Sequence, residues 1–154
     1  MNIKIITYCT LITLIAIATA CKDDKLYHEM RRIKEVGNSD PELALKMLDS
    51  IEAEVKNYGK NTRYSYELLR IRLNDKAEKI PTSDKELRDV LAYYEKHGNE
   101  AEKQEAYYYA GSVYRDLQDT PRALDYFNHS RDCVRDTDGE YDTLMLRNTY
   151  SNLC

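Results

Sequence analysis

One stretch near the C-terminal end constrains the fold of this chain more than any other. Between residues 104 and 137, apolar or small residues recur three or four positions apart on both sides of a break at Asp119-Thr120-Pro121. Such spacing places side chains on one face of a helix, so each half predicts a helix with a single buried stripe. The two stripes would face each other in a helix–turn–helix unit. The predicted core of this unit comprises Tyr107, Ala110, Gly111, Tyr114, Ala123 and Phe127.

The sizes of these residues favour close packing of the two predicted helices. Gly111 and Ala123 are small where the helices would cross, and the aromatic side chains fill the remaining space. The pattern resembles the tetratricopeptide repeat, a helical pair of about 34 residues that stacks on copies of itself. Ser130 departs from it, since the repeat usually has Ala there.

Similar but weaker patterns precede and follow this unit. They predict helices over 25–36, 40–56 and 61–78, a fourth from Ser83 to Gly98, and a last one after Gly139. Two capping boxes are predicted, Ser39 with Glu42 and Ser83 with Glu86. The resemblance therefore implies an all-α domain over residues 25–154, a superhelix of antiparallel helix pairs with about three repeats. The last repeat is incomplete, which fits a truncated reading frame, a helix that caps itself, or an apolar end completed by another chain.

The front of the chain predicts export. Residues 1–20 have a positive start, an uncharged apolar run and a small-residue end, which is the pattern of a signal peptide. Cys21 follows directly, and this combination resembles the lipobox of bacterial lipoproteins, which implies acylation of Cys21. An ordinary signal peptide or an uncleaved anchor are the alternatives. Residues 21–24 form a short acidic tether similar to the export tag of Bacteroidota lipoproteins, which implies the cell envelope, the outer membrane and its outer face.

Charge argues against nucleic acid as a partner. Without the first 20 residues the chain has 22 basic and 27 acidic side chains, a formal net charge of −5. Binding a phosphate backbone requires clustered Lys and Arg, whereas here basic and acidic residues alternate along the helices.

No pattern predicts catalysis, a metal site or a cofactor. His28, His97 and His129 are scattered, without a second ligand at metal spacing. The run Asp136 to Glu140 lacks the carboxylates that a calcium loop needs at its ends. Cys133 reads as a small buried residue, with a disulfide to Cys154 as the less favoured alternative. We therefore expect a protein that is not an enzyme.

The resemblance also implies a binding groove. In tetratricopeptide repeats the concave surface is lined by the first helix of each unit. The matching positions are Glu105, Tyr108, Ser112, Arg115 and Asp116, with Arg72 on the equivalent face of the preceding unit. A protein or peptide would bind there, although a solvated face is the alternative interpretation.

Residues 25–154 resemble the tetratricopeptide-repeat lipoproteins and sensor-like proteins of Bacteroidota. This resemblance implies an adaptor that is attached to a membrane through lipid on Cys21 and binds another protein. Two other functions fit the same pattern. One is a shortened input domain of a sensor, and the other is an accessory lipoprotein of an uptake system.

Overall fold

The computed structural model describes residues 25–135 and 141–154. Within these ranges the chain is all-helical and has no β-strand, which confirms the prediction of an all-α domain. The predictions for residues 1–24, including Cys21 and its tether, and for residues 136–140 lie outside the described residues. The helices are α1 (residues 25–36), α2 (Pro41–Val55), α3 (Lys60–Lys76), α4 (Lys85–His97), α5 (Glu100–Asp116), α6 (Thr120–Arg135) and α7 (Thr143–Leu153).

The helices begin with caps that differ from the two predicted capping boxes. Asp40, not Ser39, caps α2 by accepting a hydrogen bond from the Leu43 amide at 2.9 Å. At α4 the N-cap residue is Asp84, and its side chain makes no cap bond. Its carboxylate instead accepts a bond from the Tyr114 hydroxyl at 3.0 Å. Both predicted boxes are therefore wrong, because neighbouring acidic residues occupy the cap positions.

A capping box does form at the start of α5, where the sequence analysis placed none. The Asn99 side chain accepts from the Glu102 amide at 2.9 Å, and the Glu102 carboxylate accepts from the Asn99 amide at 2.9 Å. These reciprocal bonds satisfy two amides that a helix start leaves unpaired. Helix α5 therefore begins at Glu100, four residues before residue 104, where the predicted repeat starts.

Helices α3 and α5 end in the same way. Each has 17 residues and is followed by a residue with positive φ, 56° at Glu78 and 61° at Gln118. The next amide bonds back to the helix in both cases, Lys79 to the Asn74 carbonyl at 2.9 Å and Asp119 to the Tyr114 carbonyl at 2.8 Å. This is a left-handed helix end of the Schellman type, and it repeats 40 residues apart.

Two hydrophobic cores share α3. The N-terminal core joins α1, α2 and α3 through residues such as Ile33, Leu48 and Leu73. The C-terminal core joins α3 to α4, α5, α6 and α7. Beyond its neighbours along the chain, α5 also contacts α3 and α7. Helix α5 therefore lies between α3 and α7.

The predicted repeat core lies mostly in the interior of the C-terminal core. Ala110, Tyr114, Ala123 and Phe127 are buried, and a Cβ added to Gly111 would come within 2.6 Å of the Phe127 ring. The glycine is thus required for the close approach of α5 and α6. Tyr107 differs, because it is only half-buried at the edge of this core and stacks at 6.1 Å on Tyr126.

Candidate functional site

A cleft of about 530 Å³ lies between α1, α3 and α5. It is lined by residues of α1, α3 and α5, with single contributions from the α1–α2 turn, α4 and the start of α7. Its wall and floor comprise Tyr27, Met30, Arg31, Lys34, Glu35, Asn38, Ser65, Leu68, Leu69, Arg72, Tyr94, Glu102, Glu105 and Asp142. The volume is within the range of pockets that hold a small ligand or a few side chains.

Helix α1 supplies one wall of the cleft. Tyr27, Met30, Arg31 and Lys34 follow the spacing i, i+3, i+4, i+7, which puts them on one helical face. Met30 is buried, whereas the Tyr27 side chain is 62% exposed at the mouth. The wall is therefore apolar and buried at Met30, and it is exposed to solvent at Tyr27.

A charged network ties three helices together at the cleft. The Arg72 guanidinium donates to Glu105 at 3.0 Å, and the Lys34 ammonium donates to the other oxygen of the same carboxylate at 2.6 Å. Arg72 also donates to the Asn38 amide oxygen at 3.1 Å. Two cations thus share one carboxylate, which links α1 and α3 to α5.

Two buried tyrosines lie beside this network, and one of them, Tyr94, lines the cleft. Burial raises the pKa of Tyr94 to about 12, and its hydroxyl donates to Ser65 at 3.2 Å. Burial also raises the pKa of Tyr109, whose ring centroid lies 5.8 Å from the Arg72 guanidinium carbon. The Tyr94 hydroxyl is therefore a neutral hydrogen-bond donor in the cleft.

Two of the six predicted groove residues line this cleft, and the other four do not. Glu105 and Arg72 line the cleft, and their side chains pair with each other. Tyr108, Ser112, Arg115 and Asp116 are not among its lining residues. Asp116 instead borders a separate cavity of about 60 Å³ between α3, α4 and α5.

The remaining predicted residues lie closer to α7. Arg115 donates to Asn152 of α7 at 3.1 Å, to Asp75 of α3 at 3.5 Å and to Asp116 at 2.9 Å. Ser112 is buried. Burial also raises the pKa of Tyr108. Arg115 therefore joins α5 to the last helix.

A buried glutamine completes that attachment. The Gln104 side chain is 1% exposed and bonds to Asp142 twice, donating to its carbonyl at 3.2 Å and accepting from its amide at 3.1 Å. The Asp142 carboxylate in turn caps α7 through the Met145 amide at 2.9 Å. The Ser130 hydroxyl donates to the Gln104 carbonyl at 3.0 Å, which explains a serine where the repeat pattern has Ala.

The sequence analysis missed most of the cleft. The α1 wall was available as a signal, because its i, i+3, i+4, i+7 spacing can be read from the sequence. Ser65, Leu69 and Tyr94 gave no such signal, since they are brought to the cleft by the packing of α3 against α1 and of α4 against α3.

Among the described residues, the requirements of a metal site and of a membrane span are not met. No group of three His, Cys, Asp or Glu side chains within 25–135 and 141–154 is placed to hold a metal ion. In the same ranges, no helix combines the length and apolar character needed to cross a bilayer. Cys133 is a buried free thiol and Cys154 an exposed one, and burial raises the pKa of Cys133 to about 11.

Comparisons of this chain with protein-family models, with curated proteins and with solved structures found no significant match.

Proposed function

We propose that this chain is a lipid-anchored adaptor with a tetratricopeptide-like arrangement of helix pairs, whose cleft binds a segment of another protein. The observation that carries the proposal is that α1, α3 and α5 together line one cleft. In the resembled family, the first helices of successive repeats line the concave binding surface. The matching ends of α3 and α5 support a repeat of one local structure.

The make-up of the cleft supports a protein segment as its ligand. Leu68, Leu69 and Met30 offer apolar contact, and Tyr27 adds an accessible aromatic ring at the mouth. Tyrosine is favoured at recognition surfaces, because it combines a large contact area with a hydroxyl group. Charged side chains of both signs surround this apolar floor, which suits an amphipathic segment of mixed charge.

Site-specific photo-crosslinking tests the cleft. A photoreactive amino acid replaces Tyr27 in one variant and Leu43 of α2 in another, because Leu43 is 47% exposed and does not line the cleft. We expect a discrete crosslinked protein from position 27 and none from position 43. Equal crosslinking from both positions, or none from position 27, would contradict the proposal.

A matched pair of double variants tests the contact energetically. Tyr27→Ala with Arg31→Glu changes the cleft mouth, and Tyr150→Ala with Arg147→Glu makes the same changes on exposed positions of α7. Both should retain helical circular dichroism. Capture of the partner identified by crosslinking should fall at least about tenfold in the first variant, the loss of about 1.4 kcal/mol, and stay unchanged in the second.

The anchor is tested separately. Cys21→Ala removes the predicted acylation site, so the protein should move from the membrane fraction to the soluble fraction. Each buried methylene of an acyl chain contributes about 0.8 kcal/mol to membrane binding, and several chains together hold a protein firmly. Unchanged membrane association of Cys21→Ala would refute the anchor and leave the cleft proposal intact.

A further inference from the structure

We infer that the cleft binds a segment of a membrane-embedded protein that lies close to the bilayer surface. The inference rests on the proposed function, and it names the kind of partner that the proposed function leaves open. Two independent observations lead to it: the small size of the cleft and its short separation along the chain from Cys21.

The size of the cleft limits its intrinsic affinity. About 530 Å³ accommodates a few side chains, whereas a stable protein–protein interface buries about 1,600 Å² of surface in total. Contacts well below that size belong to weak and transient encounters. The cleft therefore needs a partner that is already held nearby.

The short stretch of chain between Cys21 and the cleft would keep the cleft close to such a partner. Tyr27, at the mouth of the cleft, follows Cys21 by six residues. A chain spans at most about 3.3–3.6 Å per residue, so the mouth lies within about 20 Å of the acylated residue. When lipid on Cys21 holds the chain, the cleft is confined to a thin layer next to the headgroups.

Confinement to this layer selects the partner. A membrane-embedded protein shares the layer, so its segments next to the bilayer meet the cleft at a higher local concentration than a dissolved protein of equal abundance would. A dissolved protein has no such advantage, and the weak contact of a small cleft would not retain it. The occupant is thus an amphipathic segment adjoining a membrane-embedded region.

Lengthening the tether tests this inference. Gly-Ser insertions of three and of thirty residues are placed after Asp24 in the full-length chain, each with the photoreactive amino acid at position 27. Both proteins diffuse in the plane of the membrane, so a longer tether dilutes the cleft only by thickening the layer, in proportion to the reach of the tether, which grows roughly as the square root of its length. The insertions extend six residues to nine and to thirty-six, so we expect crosslinking to fall by about a fifth and by about twofold to threefold, respectively.

The crosslinked peptide is then identified by mass spectrometry, and the mass of the N-terminal peptide reports acylation of Cys21. A peptide adjoining a membrane-embedded region, with the expected dependence on tether length, supports the inference. A peptide from a soluble protein, or crosslinking that is unchanged by thirty residues, overturns it while the cleft function survives. Absence of acyl mass on Cys21 also overturns it, and absence of crosslinking with every tether overturns the cleft function as well.

Discussion

The N-terminal and C-terminal cores differ in the kinds of side chain that fill them. Among the described residues, the N-terminal core is mainly aliphatic, and Tyr66 is its one buried aromatic side chain. The C-terminal core buries Tyr94, Tyr109, Tyr114 and Phe127. Aromatic side chains fill more volume each, so they fit where α5 and α6 approach closely over Gly111.

This difference explains which region was easier to recognise from sequence. The aromatic and glycine spacing of α5 and α6 is distinctive, whereas the Leu and Ala stripes of α1 and α2 fit almost any amphipathic helix. The less distinctive region nevertheless supplies a wall of the cleft. Recognisable packing and functional position are therefore separate properties in this molecule.

Truncating one residue in each core tests whether the two cores are independent. Phe127→Ala should reduce the free energy of unfolding by about 3–5 kcal/mol and Leu48→Ala by about 2–5 kcal/mol, because both side chains are fully buried. We expect a single urea transition by circular dichroism in each variant, since α3 contributes Leu68 to one core and Leu73 to the other. Two separated transitions would show that the cores unfold separately.

The two networks of cross-helix ion pairs should differ in strength. Glu105→Ala leaves the guanidinium of Arg72, which is 7% exposed, without its carboxylate, so we expect a loss of about 3 kcal/mol in urea unfolding. Arg115→Ala breaks a more exposed network and should cost less than about 1 kcal/mol. Adding Arg72→Met to Glu105→Ala should recover part of the loss, because no unpaired buried charge then remains. Equal costs for the two single variants would remove the distinction between the networks.

Alanine substitutions at two glycines test how tightly each core is packed. A Cβ at Gly111 would meet three carbons of the Phe127 ring, whereas a Cβ at Gly37 would meet chiefly the end of the Leu73 side chain. Gly111→Ala should therefore destabilise by about 1–3 kcal/mol in thermal unfolding, and Gly37→Ala by less, since a leucine methyl group moves more easily than a ring. The reverse order would contradict this view of the α5–α6 crossing.

The smallest expected effect concerns the shared ends of α3 and α5. Gln118→Gly and Glu78→Gly should each stabilise the fold by up to about 1 kcal/mol, because glycine adopts positive φ without steric cost. Glu95→Gly, within α4, is the matched control and should destabilise by about 1 kcal/mol. A gain at only one of the two ends would show that the ends are not equivalent.

The helical class, most helix positions and most of the repeat core could be predicted because they depend on residues close together in sequence. Spacing of three or four residues reveals a buried stripe, and breaks such as Gly37 and Gly98 divide one helix from the next, whereas Pro121 marks the first turn of α6. Errors occurred where several polar residues compete for one role. Ser39 and Asp40 both suit a helix cap, and only the folded chain selects between them.

The candidate site was less predictable, because its contacts join distant parts of the chain. Arg72 and Glu105 are 33 residues apart, and Lys34 and Glu105 are 71 apart. Arg115 of the predicted groove also bonds to Asn152 of α7, and a single repeat pattern does not encode that contact.

The sequence by itself determined that this protein is made of amphipathic helices, since their periodicity and breaks are local properties of the chain. Only the tertiary structure decided which polar side chains are buried, among them Arg72, Gln104 and Ser130, and which helices line the cleft. The physical reason is that burying a polar group is favourable only with a partner in place. Those partners are supplied by segments that folding brings together.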